Sequence, residues 1–272
     1  MVPSTLHRSD KLNVKGATAT PVFLLTFRLL LVIGLQLASI LIAGSRAAAM
    51  PWWPYVMVAT EAVTLLTLIV LLRRERIPVA SIFIAPFEQG FPAGRAATFL
   101  TRRYEGRWVG LLADAGRFLL LLGILGVPAL VLNDVISSGI PVLRDAATAG
   151  PLPTIAIYAL FILLPVAQLV EFPLYYGTAY PRLERRLRAA GHGPAAANGI
   201  ALLIVVLVLA LQVALIPIIL SPAYIAWRMV AILPVLVVIG VVIRLVPRFM
   251  IGANLVHMAM AVMVVADFTR FA

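Results

Sequence analysis

The chain has 272 residues, 62% hydrophobic and only 12% charged, with a mean hydropathy of +1.05, far from the balance of an ordinary soluble domain. A net charge of +11 spread over several loops, with no basic domain interleaved with aromatics, argues against a nucleic-acid partner. With no cysteine there is no disulfide framework, no thiol nucleophile and no thiolate metal site.

In chain order, a polar, basic tail covers residues 1–21. The apolar run behind it is too long for a signal-peptide core and reads as a retained first span. Residues 22–272 form one all-α, polytopic membrane domain, with about seven spans expected near 22–44, 54–72, 108–132, 154–176, 198–220, 229–246 and 250–268. Basic residues number three in the tail, seven in 73–107, four in 182–188 and two in 244–248. The opposite side has four: Arg46, Arg144, Arg228 and Arg270. This asymmetry predicts a cytoplasmic N-terminus and, with an odd number of spans, an external C-terminus. The expected location is a bacterial inner membrane, with membrane lipids as the first partner.

Between the second and third spans, "RRERIPVASIFIAPFEQGFPAGR" contains Pro78, Pro86 and Pro92, which forbid a long helix. It reads either as an interfacial or re-entrant segment or as a linker lying on anionic headgroups. Trp52, Trp53 and Trp108 read as interfacial aromatic anchors.

Ionisable groups inside spans cost roughly 2.5–3.5 kcal/mol each on insertion scales, so each is a functional candidate. They are Arg28, Glu61, Asp114, Arg117, Glu171 and His257. Asp114 and Arg117, at i and i+3, are expected to neutralise one another. Arg28, near the end of the first span, is expected to snorkel to the headgroups. Glu61 lies deeper without a local partner and suits either a packing or a catalytic role. His7 and His192 are far from His257 in sequence, so no metal site is predicted. Ser221 has no histidine partner, and no glycine-rich stretch has phosphate-loop spacing.

The stretches "EFPLYYG" from Glu171 with "YPRLERRL" behind it, "LALQV" over 209–213, and "HMAMA" from His257 carry a resemblance. Over about 150–268 the chain resembles the CAAX protease and bacteriocin-processing (CPBP) family of glutamic-type intramembrane proteases. That family's motifs are Glu-Glu-x-x-(Phe/Tyr)-Arg-Gly, Phe-x-x-x-His and His-x-x-x-(Asn/Asp). Glu171 stands at the first glutamate and His257 at the last histidine. Phe172 replaces the second glutamate, Tyr176 the arginine, Leu209 and Val213 the second motif, and Ala261 the final amide or acid.

The resemblance implies that the first glutamate and the middle histidine activate a water while the last motif stabilises the oxyanion. Val213 neither donates nor accepts a hydrogen bond, and losing one oxyanion donor costs about 10²–10³ in rate. Gln212 is the adjacent polar group, about 100° round the helix from 213. Phe172 and Tyr176, four residues apart, are expected to form an aromatic pair where the family has an ion pair.

The expectation is a catalytically impaired relative, a pseudoenzyme acting as a membrane-embedded binding, scaffold or assembly subunit. Its partner would be a membrane protein or a lipidated peptide. Glu171 and His257 are its catalytic remnants, with Tyr175, Tyr176, Gln212 and Glu61 as candidate binding residues. The alternatives are an active endopeptidase using Glu171 and His257, a plain helix-to-helix hydrogen bond between those two, and a pigment-binding subunit. The last would have His257 as ligand and the small Ala253 one turn before it. No cofactor is otherwise expected.

Overall fold

The computed structural model describes residues 21–75, 107–139, 161–163, 165, 168–216, 218–246, 250, 252–259 and 262. Every described element is helical. The segment 76–106 with its three prolines, the tail before residue 21, and Ala261 lie outside the described residues.

Helix α1 (Pro21–Ala43) is apolar throughout apart from Thr26, Arg28, Gln36 and Ser39. It ends at Gly44, whose φ of 78° only a residue without a Cβ adopts cheaply. Ser45 then caps a single turn, its hydroxyl accepting from Ala48 N at 3.2 Å. Helix α2 (Trp53–Arg74) returns across the bundle and ends on Arg73 and Arg74, cations placed at the negative end of the helix dipole. Thr60, Thr64 and Thr67 donate to carbonyls four residues back at 2.7–2.8 Å, which satisfies their hydroxyls inside an apolar helix. Trp52 is exposed next to Tyr55, as an interfacial anchor should be. Trp53 differs from the expectation: it begins α2 facing inward and is buried.

Helices α3 (Arg107–Leu121) and α4 (Val127–Ser138) are one rod joined by a π-helical stretch at Leu122–Gly126. Pro128 has no N–H for the carbonyl four residues before it, and the wider turn accommodates that loss. The expected ion pair of Asp114 and Arg117 is present at 3.2 Å.

A second π-helical stretch, Pro173–Ala179, runs directly into α5 (Tyr180–Ala189). Pro181 cannot donate to Gly177. The chain responds by bonding Tyr180 N to Tyr175 O, five residues back, while the Thr178 hydroxyl donates to Pro173 O at 3.0 Å.

Helix α6 (Pro194–Ala214) and helix α7 (Pro222–Leu245) pack closely, with Ala197, Ala201, Ala210, Ala231 and Gly240 buried or nearly so. Small residues let helix backbones approach where lipid removes the usual hydrophobic drive. The bend between these helices is tied by Gln36, whose Nε2 donates to Leu215 O at 2.8 Å. Ser221 is a helix cap here, its Oγ accepting from Tyr224 N at 3.2 Å. Pro234 lies inside α7 and supplies no backbone donor there, and Asn133 of α4 donates to the Ala231 carbonyl nearby at 2.7 Å.

Five described helical stretches are long and apolar enough to cross a bilayer: Pro21–Ala43, Arg46–Arg74, Leu112–Ser138, Pro194–Ala214 and Pro222–Leu245. They match five of the expected spans. The expected spans at 154–176 and 250–268 fall partly outside the described residues. Leu30, Leu41, Leu66, Leu112, Leu119 and Val230 point outward, the surface expected of a bundle whose solvent is lipid.

Candidate functional site

Arg28, Glu61, Glu171, Tyr175, Gln212 and His257 converge on one buried centre. Arg28 of α1 and Glu61 of α2 are 0% and 1% exposed. The inward stripe of α1 is Arg28, Val32 and Gln36, four residues apart. That of α2 is Met57, Glu61, Thr64, Leu68 and Leu72. Arg28 Nη2 donates to Glu61 Oε1. Its Nη1 donates to Glu171 Oε1 at 2.7 Å, so one guanidinium links three chain segments. This corrects the expectation that Arg28 snorkels: it points into the bundle. Glu61, which lacks a partner on its own helix, finds one on α1.

Glu171 sits just before the π-helical stretch, and its second oxygen, Oε2, lies 3.3 Å from His257 Nε2. The acid and the imidazole do meet, from separate helical segments. Phe172, beside Glu171, stacks on the His257 ring at 4.5 Å and 13°, a contact the sequence reading missed. The same Phe172 meets Tyr176 edge-on at 5.8 Å and 74°, the expected i, i+4 aromatic pair. A histidine pinned by a flat ring on one side and a carboxylate at one nitrogen has a fixed orientation.

The wider turn of the π-helix aims Tyr175 into this centre and Tyr176 away from it. The Tyr175 hydroxyl donates to Gln212 Oε1 of α6, and the Arg28 guanidinium carbon lies 5.9 Å from the Tyr175 ring centre. Gln212 is fully buried, whereas Val213 is half-buried. Of the two neighbours it is Gln212 that reaches the site. Tyr176 instead donates to Leu236 O at 3.3 Å, against α7, and so belongs to the packing around the site.

Depth follows from helix rise. Glu61 lies fourteen residues before Glu75, and Glu171 eleven before Arg182; Glu75 and Arg182 are themselves ion-paired. At 1.5 Å per residue along α2 the centre is roughly 21 Å from that pair, well inside the bundle.

Arg28 is a permanent cation facing two carboxyl groups. Four of the centre's polar atoms have no hydrogen-bond partner among the described residues: Arg28 Nε, Glu61 Oε2, Gln212 Nε2 and His257 Nδ1. Buried groups of this kind normally find a partner, so the centre offers both donors and an acceptor to something besides itself.

A second polar cluster lies toward the α5 end. Glu184 holds Arg188 at 2.5 Å and Arg244 at 3.8 Å. With its amide oriented to match donors with acceptors, Asn198 accepts from Tyr180 at 2.6 Å and from Arg244 at 2.8 and 2.9 Å. Burial pushes the Tyr180 phenol above its ordinary value, so it stays neutral and can both donate and accept. This cluster joins α5, α6 and α7. Among the described residues no group of three potential metal ligands exists. His192 is exposed between α5 and α6, far from the centre in the chain.

The fold and the centre define a helical membrane protein with a polar core of guanidinium, two carboxyls, imidazole, phenol and amide. Comparison with protein-family models, with curated proteins and with solved structures finds no match to this chain.

Proposed function

We propose that the chain is a non-hydrolytic relative of the CPBP-type intramembrane proteases that acts as a membrane-embedded binding and assembly subunit. In this reading it lies in a bacterial inner membrane with about seven spans and a cytoplasmic N-terminus, and it engages a membrane protein or lipidated peptide. The observation that carries the reading is the state of Glu171. One oxygen accepts from Arg28 and the other faces His257, so the carboxylate is held as a counter-ion between helices. A general base must instead reach the proton of a positioned water. Val213 supplies no imidazole, and the Gln212 amide can donate a hydrogen bond but cannot take a proton.

The resemblance gives the arrangement a history. The family's glutamate–arginine pair, four apart on one helix, is here Phe172 and Tyr176. Arg28 and Glu61 bring a guanidinium and a carboxylate from two other helices to Glu171, the residue beside Phe172. In this reading the centre serves as an interhelical tie, in which Gln212 Nε2 and His257 Nδ1 are buried without a hydrogen-bond partner among the described residues.

Glu171→Gln tests this reading against the active-peptidase alternative. The amide keeps the shape of the centre but can no longer serve as a base. Proteomic comparison of native membranes should show no substrate accumulating in the variant, while co-purification of the partner persists. Loss of a defined cleavage, with expression intact, would establish the peptidase instead.

A further inference from the structure

At the end of the bundle where α2 closes and α5 begins, the arginines outnumber the carboxylates. Glu75 is gripped by Arg182, with Nη1 at 2.9 Å from one oxygen and Nη2 on the other. Glu184 is taken by Arg188 and Arg244, and Asp114, lower in its span, by Arg117. The described acids at this end are thus committed to arginines that tie one element to another or steady a helix. Arg73 and Arg74 of α2 and Arg186 of α5 remain exposed, and no described carboxylate lies within ion-pair distance of them.

These three cations stand at the same end of the bundle, Arg74 and Arg186 on either side of the contact between α2 and α5. Glu75 follows Arg74 directly and is clasped by Arg182, and Arg186 stands one turn beyond Arg182 on the same face of α5. Below Arg74, at four and eight residues back on the same face of α2, Val70 and Leu66 are exposed. The exposed Arg74 therefore stands above an apolar lane that descends along α2.

We infer that this patch binds an anionic phospholipid, its phosphate held by Arg73, Arg74 and Arg186 and an acyl chain lying along Val70 and Leu66. Guanidinium matches phosphate oxygens in forked pairs. The ion pair of Glu75 and Arg182 fixes the spacing of the two helices that carry the cations, so little ordering is left to binding. Free phosphate would satisfy the arginines but has no use for the apolar lane; a phospholipid uses both. The site is independent of the role of the buried centre and stands or falls separately from it.

The test uses the full chain in nanodiscs of phosphatidylcholine containing a minor share of phosphatidylglycerol, with retained lipids counted by native mass spectrometry. The wild type should be enriched in phosphatidylglycerol. Arg73→Gln, Arg74→Gln and Arg186→Gln should each weaken retention roughly fivefold. Arg46→Gln, an exposed arginine at the opposite end of the bundle, should leave it unchanged, and excess inorganic phosphate should not displace the lipid. The inference is overturned if the triple variant retains as much phosphatidylglycerol as the wild type, if Arg46→Gln loses as much, or if inorganic phosphate empties the site. The wild type gives a second reading that needs no variant: enrichment must fall as salt is raised, and a salt-insensitive enrichment also overturns it.

Discussion

At the residue scale, Arg28 is the side chain on which the buried centre depends. Removing one partner of a buried ion pair leaves the other charge uncompensated, which typically costs about 3–5 kcal/mol, and Arg28 serves two carboxyls at once. Arg28→Met should therefore lower stability by about 3–5 kcal/mol, read as a lowered midpoint of thermal unfolding in detergent. Adding Glu61→Gln and Glu171→Gln removes the stranded charges and should recover most of that loss. If the triple variant melts no higher than Arg28→Met alone, the ion pairs are not what Arg28 contributes. Glu171 and His257 were legible as candidates because each is an ionisable group inside an apolar run, and they do meet. Arg28 was misjudged because its partners lie 33 and 143 residues away, and a position near a span's end suits a snorkelling arginine equally well. The missed signal was Gln36, two turns further along the same face: two polar residues in line within an apolar helix mark an inward stripe, which a single arginine does not.

At the element scale, the site is shaped by the π-helical stretch before α5 and by the surface of α7 against it. Pro173 and Pro181 were visible in the sequence, but their effect was not: a helical wheel at 3.6 residues per turn misplaces every side chain across a π-helix. That is why Tyr175 and Tyr176 looked equivalent beforehand, although only Tyr175 enters the centre. Tyr176 lies against Gly240, where an added Cβ would fall 2.6 Å from Leu202 Cδ1, 3.2 Å from Tyr176 Cε1 and 3.3 Å from its hydroxyl. Replacing Gly240 by alanine gains about 1 kcal/mol of helix propensity. Overpacking costs about 1–3 kcal/mol, and Tyr176 has little room because Phe172 abuts its ring and Leu236 accepts its hydroxyl. Packing should win, so Gly240→Ala should lower the unfolding midpoint, and the loss should shrink in a Leu202→Ala background where the tightest contact is gone. An equal loss in both backgrounds would mean that Gly240 serves the helix backbone, not the close approach of α6 and the tyrosine.

At the scale of the whole molecule, the charge pattern sets an orientation that the cysteine-free chain makes simple to measure. Arg73, Arg74, Arg182, Arg185, Arg186, Arg188 and Arg244 gather at one end of the described bundle with Glu75 and Glu184 among them and the Asp114–Arg117 pair deeper in the same end; the other end has Arg46 and Arg228 with Asp134. The hydrophobic runs made five of the crossing helices legible, because a lipid-facing helix must be apolar along its length whatever it packs against. Which helices neighbour one another was not legible, since contacts between inward faces leave no periodic trace in a single sequence. Orientation rests on the bias of basic residues toward the cytoplasm, and it predicts that the α5–α6 turn and the turn after α1 face opposite compartments. Ala190 and Ala47 are exposed in these two turns, and with no native cysteine each can be replaced singly as a unique label site. In intact spheroplasts a membrane-impermeant maleimide should modify Ala47→Cys and spare Ala190→Cys, and permeabilisation should expose both. The reverse pattern would place the basic end outside, and the exposed Arg73, Arg74 and Arg186 would then face the outer leaflet and lose the stronger pull of cytoplasmic anionic lipid.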